Sequence, residues 1–301
     1  IKEYVEAFRA EGLRVGFYYS LLDWHHPDYT VDRYHPRRDD GDIAEMNKGR
    51  DMKRYAKYMR DQVTELLTNY GKIDILWFDF SFEDKGKNEW EAEKLISTAR
   101  SIQPDIIIDN RTGIDQDIYT PEQSEVREWV RDKDGNRVVW ELCQTFSGSW
   151  GYHRDESSWL SPETLVRMLV NCVSNGGNLL LNVGPTSRGY IDARAVSTLE
   201  AIGKWMKYNS RSIYGCTESD FKPYKDVRYT QNGDRLYVHL FAYPARSVYL
   251  PDLAGKIEYA QFLHDGSELK FDEDDNGGVE VYVPRVKPDQ LVPVIELFLK
   301  D

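Results

Sequence analysis

Asp79 closes an apolar run, Ile73 to Phe80 (IDILWFDF), and a carboxylate in that position is costly to bury without a task. By the two-residue period of a strand, Trp77 and Asp79 share one face, while Asp74 lies on the other face at the opposite end. Asp79 would otherwise serve as an N-cap, but the next helical stretch begins near Trp90, too far on for it to cap. The next apolar run, Asp105 to Arg111 (DIIIDNR), ends on Asp109-Asn110-Arg111, where Arg111 is placed to hold a substrate hydroxyl. Glu122 follows in Tyr119-Thr120-Pro121-Glu122, on the loop above the same strand ends. On spacing alone Glu122 reads better as a solvated loop carboxylate. If it joins Asp79, the pair is equipped for nucleophilic and general acid–base catalysis.

Other polar and aromatic groups gather near strand ends. The run Arg14 to Ser20 (RVGFYYS) presents Tyr18 or Tyr19 and leads into Asp23-Trp24-His25-His26-Pro27. Adjacent histidines point apart and no third ligand has a clear spacing, so no metal site is expected. In Ser147 to Tyr152 (SGSWGY), a Gly-rich loop carries Trp150, a suitable wall for a sugar ring. Asn175-Gly176-Gly177-Asn178 reads as a helix stop and turn into the next strand. The tripeptide Asn110-Arg111-Thr112 matches a glycosylation sequon, but at a strand end it is not expected to be occupied.

The elements that would carry these groups alternate. Helical patterns span 1–11, 52–70, 90–101, 161–174 and 192–208, and strand patterns span 14–20, 73–80, 105–111, 138–145 and 178–183. Such alternation means parallel βα units, and chemistry then sits at the C-terminal ends of the strands. No glycine-rich phosphate turn follows any strand, which disfavours a doubly wound nucleotide-binding sheet. With five strands before residue 190, a (β/α)8-type, TIM-like barrel would lack about three at its front. The chain opens at Ile1 inside a helical pattern, which fits an N-terminally incomplete barrel. An open barrel edge invites pairing, so a homo-oligomer is a further expectation. From Arg228 to Lys300 the pattern changes to strand after strand, with a hairpin signal at Asn232-Gly233 and a charged turn at Asp272 to Asn276. The expected organisation is a catalytic barrel over 1–215 and an antiparallel β-sandwich over 216–301.

The bulk numbers narrow the function further. A formal charge of -12, spread along the chain, argues against a nucleic-acid or anionic-membrane partner. No apolar stretch reaches the roughly 20 residues of a membrane helix. Three cysteines at unpaired spacing give neither a disulfide framework nor a zinc site. Aromatic residues form 13% of the chain, in keeping with a sugar cleft or with a Tyr-rich core.

Five segments together resemble the α-L-fucosidases of glycoside hydrolase family 29: residues 16–29 (GFYYSLLDWHHPDY), 74–80 (DILWFDF), 109–123 (DNR to TPEQ), 140–156 (WELCQTFSGSWGYHRDE) and 175–189 (NGGNLLLNVGPTSRG). The resemblance covers residues 1 to about 216. It implies a retaining exo-hydrolase that releases terminal α-L-fucose from glycans or glycosides, without a cofactor. Asp79 matches the family nucleophile, and Trp77, Tyr18, Arg111 and Trp150 match sugar-contacting residues. Glu122 best matches the acid/base, with Glu141 and Glu156 as alternatives. A drier surrounding is expected for Glu122 than for Asp79, since the acid must hold its proton. The family's His-His-Asp-Gly segment has no counterpart here, so that half of the pocket is expected outside this chain. The resemblance also favours a secreted, periplasmic or lysosomal location. Two rival readings are a non-catalytic carbohydrate-binding fragment and another retaining glycosidase, such as an α-galactosidase.

Overall fold

A computed structural model describes residues 1–81 and 85–300. Two compact units divide the chain, residues 1–120 and 121–301. In the first, α1 (Lys2–Ala10) leads to β1 (Gly16–Ser20), a short α2 (Ile43–Met46), α3 (Met52–Asn69), β2 (Ile75–Asp79), α4 (Ala92–Ile102), β3 (Ile107–Ile108) and β4 (Ile118–Tyr119). Strands β1, β2 and β3 form a parallel sheet in that order, with Tyr18 opposite Trp77 and Ser20 opposite Asp79.

Local chemistry sets the ends of α3. Asp51 caps it by accepting from the Lys53 N–H at 2.9 Å, and Gly71, at φ +73°, turns the chain away after it. Tyr55, Met59, Val63 and Leu67, spaced by four, bury one stripe of the helix. That stripe joins a core containing Leu76 and Phe78 of β2 and Leu95, Ile96 and Ala99 of α4. Burying side chains such as Leu76 and Phe78 contributes about 1.5–3 kcal/mol each. Because Leu76 and Phe78 take the core face, Trp77 and Asp79 must take the other.

The run expected as a strand over 105–111 keeps a ladder only at Ile107 and Ile108. Beyond it the Phe78 N–H donates to the Asp109 side chain at 3.1 Å, and the backbone of β3 peels away.

The second unit holds β5 (Val139–Thr145), α5 (Pro162–Ser174), β6 (Asn178–Asn182), α6 (Ala193–Asn209) and seven further strands. β5 and β6 are parallel, with Thr145 opposite Asn182. α5 starts as its sequence predicts: Ser161 accepts from the Thr164 N–H at 3.1 Å, and Pro162 occupies the first turn. The run 178–183, expected to be buried, is not: Leu180 is 47% exposed, because β6 lies at the edge of its sheet. After α6 come β7 (Val227–Asn232), β8 (Arg235–Leu240), β9 (Ser247–Leu250), β10 (Ile257–Phe262), β11 (Phe271–Glu273), β12 (Val279–Tyr282) and β13 (Val294–Leu299). They form one antiparallel sheet in the order β10-β13-β8-β7 and a second in the order β11-β12-β9.

The β7–β8 hairpin closes with Asn232 opposite Arg235, and Gly233, at φ +57°, supplies the left-handed turn residue. β8 is buried on both faces. Leu236, Val238 and Leu240 enter a core with residues of the other strands, whereas Tyr237 packs with Val166, Val170 and Trp205 of α5 and α6. The result is a mixed α/β chain: parallel strands alternating with helices, then antiparallel sheets.

Candidate functional site

In the first unit the parallel register of β1 and β2 brings Tyr18, Trp77 and Asp79 together at the C-terminal strand ends. The Tyr18 hydroxyl donates to Asp79 Oδ2 at 2.6 Å. Tyr19, one residue on, points to the opposite face and donates to Gln62 of α3 at 2.7 Å, which settles which of the two tyrosines meets Asp79. The Tyr18 and Trp77 rings stack with centroids 5.6 Å apart. Arg111 Nη1 donates to Asp79 Oδ1 at 3.0 Å, and its guanidinium lies 4.9 Å from the Trp77 ring centroid. The Asp79 side chain is 16% exposed, so this pair is less screened than a surface ion pair.

Neighbouring residues fix the arginine. Arg111 Nε donates to Thr120 Oγ1 at 2.7 Å and Nη2 to the Thr120 carbonyl at 3.0 Å. Asn110 Oδ1 accepts from the Thr120 N–H and hydroxyl, both at 3.2 Å. Phe80 adopts φ +73°, uncommon for an aromatic residue, and its N–H returns to Asp79 Oδ1 at 2.9 Å. The sharp turn leaves Asp79 at the rim of the strand rather than inside a continuing ladder.

Sequence reading assigned no role to Thr120 or to Asp109. Asp109 is fully buried, and burial pushes its carboxyl up to about 7. The Phe78 and Arg111 backbone N–H groups and the Arg111 charge oppose that shift, while the Asp79 charge adds to it. The only sequence signal was a carboxylate ending an apolar run beside Arg111.

The remaining candidates lie in the second unit. Glu122 forms a parallel bridge with Cys143, two residues before the end of β5, and is exposed. That departs from the expectation of a drier surrounding; the backbone of Pro121 and Gln123 pairs with Cys143 of β5. Glu141 is half-buried near the start of β5, opposite Asn178. Glu156 accepts from the Ser158 N–H at 2.7 Å, which with the Gly148 and Ser157 N–H groups holds its carboxyl below the usual range.

Trp150 is 39% exposed on a loop stapled to both strand ends. Thr145 Oγ1 donates to the Ser149 carbonyl at 3.0 Å, and Asn182 Nδ2 to the Trp150 carbonyl at 2.8 Å. Gly184 permits the approach, since a Cβ there would lie 2.5 Å from the Gly151 carbonyl carbon. His26 packs on Tyr58 with ring centroids 4.4 Å apart. Among the described residues no group of three or more His, Cys, Asp or Glu could hold a metal, and no helix is long and apolar enough to cross a membrane.

Comparison with known proteins places this geometry in context. The model of the alpha-L-fucosidase family matches residues 1–211. Tissue alpha-L-fucosidase of Homo sapiens is 26% identical over 298 residues, covering 94% of this chain and 60% of the human protein. Plasma alpha-L-fucosidase of Homo sapiens is 30% identical over 233 residues, covering 71% of this chain and 44% of that protein. Among solved structures, alpha-L-fucosidase isoenzyme 1 from Paenibacillus thiaminolyticus is similar at 42% identity with a TM-score of 0.91, covering 100% of this chain and 75% of that one. A Bacteroides thetaiotaomicron alpha-L-fucosidase, trapped as a covalent intermediate with 2-fluoro-fucosyl fluoride, is similar at 25% identity and a TM-score of 0.80, covering 99% of this chain and 71% of that one. The chain thus spans about 60% of the length of the tissue relatives it matches.

Proposed function

Because the chain belongs to the alpha-L-fucosidase family, we propose that it hydrolyses terminal α-L-fucose from glycans or glycosides with retention of configuration, using Asp79 as nucleophile. The observation that carries this reading is the Asp79 carboxylate at the end of β2, oriented by Tyr18 at 2.6 Å and Arg111 at 3.0 Å beside the Trp77 face. Both hydrogen bonds fix the direction of the carboxylate oxygens. They also weaken as the carboxylate charge passes into a fucosyl ester, which helps the ester to hydrolyse in the second step.

In the first step Asp79 attacks the anomeric carbon, and the glycosidic bond breaks as Glu122 protonates the departing oxygen. In the second, Glu122 takes a proton from water, the water attacks the same carbon, and Asp79 leaves as a carboxylate. Glu122 fits the acid/base role better than its alternatives. Glu141 sits four residues before the end of β5, roughly 13 Å back along the strand. The ionised state of Glu156, favoured by its backbone donors, suits a loop staple rather than a proton donor. Glu122 is exposed, so a glycoside can reach its carboxyl. Tyr18, Trp77, Arg111 and Trp150 are the proposed sugar contacts. The two steps as written need no cofactor.

The same reading extends to architecture. The parallel strands are segments of a (β/α)8-type barrel over residues 1–215, followed by a β-sandwich over 216–301. β1 and β6 each stand at the edge of a parallel sheet, which supports further strands or a second copy of the chain pairing with these edges. A panel of aryl glycosides tests the function. The expected result is hydrolysis of the α-L-fucoside alone, with α-L-fucose as the first product. Cleavage of an α-galactoside instead, or sugar binding without turnover, would replace this reading with one of its rivals.

A further inference from the structure

We propose that Asp109 is a positioning residue for the reaction, whose carboxylate locks the end of the nucleophile strand to the backbone of the arginine that pairs with the nucleophile. The inference rests on the reading of Asp79 as that nucleophile. The β2–β3 ladder ends at Leu76 opposite Ile108. Past that point the two strands separate, and the N–H of Phe78, the residue before Asp79, would have no ladder partner. Asp109 accepts it at 3.1 Å, and the Arg111 N–H also meets the Asp109 carboxylate. One side chain thereby holds two backbone segments whose next functional groups, Asp79 and the Arg111 guanidinium, meet at 3.0 Å.

Asp109 touches neither solvent nor a sugar-facing surface, since it is fully buried. Its second oxygen, Oδ2, has no hydrogen-bond partner among the described residues. A buried carboxylate so poorly served is expensive, and a sequence concerned only with stability would place an apolar residue there. What the carboxylate oxygen supplies is a compact acceptor for two N–H groups at the point where the backbone must bend to aim Arg111 at Asp79.

Asp109→Ala and Asp109→Asn separate the possibilities. Asn keeps an acceptor oxygen for the Phe78 and Arg111 N–H groups, whereas Ala removes it. Rates are expressed per active site, counted by the burst of covalent labelling with 2-fluoro-fucosyl fluoride, so loss of folded protein does not enter. The expected result is a fall in kcat of roughly 100-fold for Asp109→Ala, the scale of a small misplacement of reacting groups, with KM little changed. Asp109→Asn is expected to restore most of that loss. The pH profile supplies a second readout. The charged groups facing Asp109 are Asp79 of β2 and Arg111 beyond β3, and Asp109 gains charge only above about 7. Wild type and Asp109→Asn should therefore coincide on the acid side and part above about 7, the variant falling less steeply because no second carboxylate draws on Arg111. Equal kcat per labelled site in wild type and Asp109→Ala would overturn the proposal, as would an Asn variant as slow as Ala with the same pH profile. Labelling at a residue other than Asp79 would instead refute the nucleophile assignment, so the two failures remain distinguishable.

Discussion

At the scale of single residues, the site depends on a few charge-assisted contacts around Asp79. The Tyr18 hydroxyl donates to its carboxylate at 2.6 Å. Hydrogen bonds to charged groups contribute about 1.5–3 kcal/mol, so Tyr18→Phe should lower kcat/KM roughly 10- to 100-fold with the fold intact. Steady-state kinetics on an aryl α-L-fucoside measures it, and an unchanged value would mean that Asp79 needs no help from β1. Glu122→Ala should cost about 10²- to 10⁴-fold on substrates with poor leaving groups, which depend on protonation. Activated aryl fucosides should still form the fucosyl-enzyme but release it slowly. If Glu141→Ala or Glu156→Ala gives that leaving-group pattern and Glu122→Ala does not, the role passes to that residue. Asp79, Trp77 and Arg111 were legible in the sequence because they close apolar runs with a period of two. Asp109 was visible in the same run, yet its function was not. That function depends on the ladder stopping at Ile108, which no local pattern reveals.

At the scale of elements, the helices and their caps follow directly from Asp51, Ser161 and Asp192, each accepting a backbone N–H in the first turn. The turn at Asn175 to Asn178 was equally readable as a helix stop, but the reason for its second glycine is tertiary. A Cβ at Gly177 would lie 2.2 Å from the Trp140 ring, and Trp140 is fully buried. Gly177→Ala should therefore destabilise the protein by about 1–3 kcal/mol, the usual cost of overpacking. Denaturant unfolding checks this, and a variant as stable as wild type would show that Trp140 moves freely. Strand faces were harder to read. β8 alternates as a half-exposed strand would, but Tyr237 and His239 are buried along with Leu236 and Val238. One face meets helices and the other meets strands, and alternation cannot report a second burial partner. β6 errs the other way: three consecutive leucines predict burial on both faces, and only neighbouring strands would provide it.

At the scale of the whole molecule, the buried Asp109 carboxyl links folding to pH. Its folded-state value is raised from 3.8 to about 7, so between those limits the native protein binds more protons than the unfolded chain. Its contribution to stability is full below 3.8 and is lost as pH rises through about 7. The melting temperature of wild type relative to Asp109→Asn should accordingly fall across that window, by differential scanning calorimetry at matched ionic strength. A constant difference would mean that Asp109 does not titrate there. Family membership was legible from five short segments together, and the parallel strands alternating with helices from periodicity, because βα units place their functional residues at one kind of position, the strand end.

In the proposed mechanism Asp79 becomes covalently bonded to fucose. Incubation of the protein with 2-fluoro-fucosyl fluoride, followed by proteolysis and mass spectrometry, tests it most directly. One fluorofucosyl adduct per chain is expected, on the peptide that contains Asp79, and none in Asp79→Gly. An adduct on another carboxylate, or steady turnover of an aryl fucoside by Asp79→Gly at the wild-type rate, would contradict it.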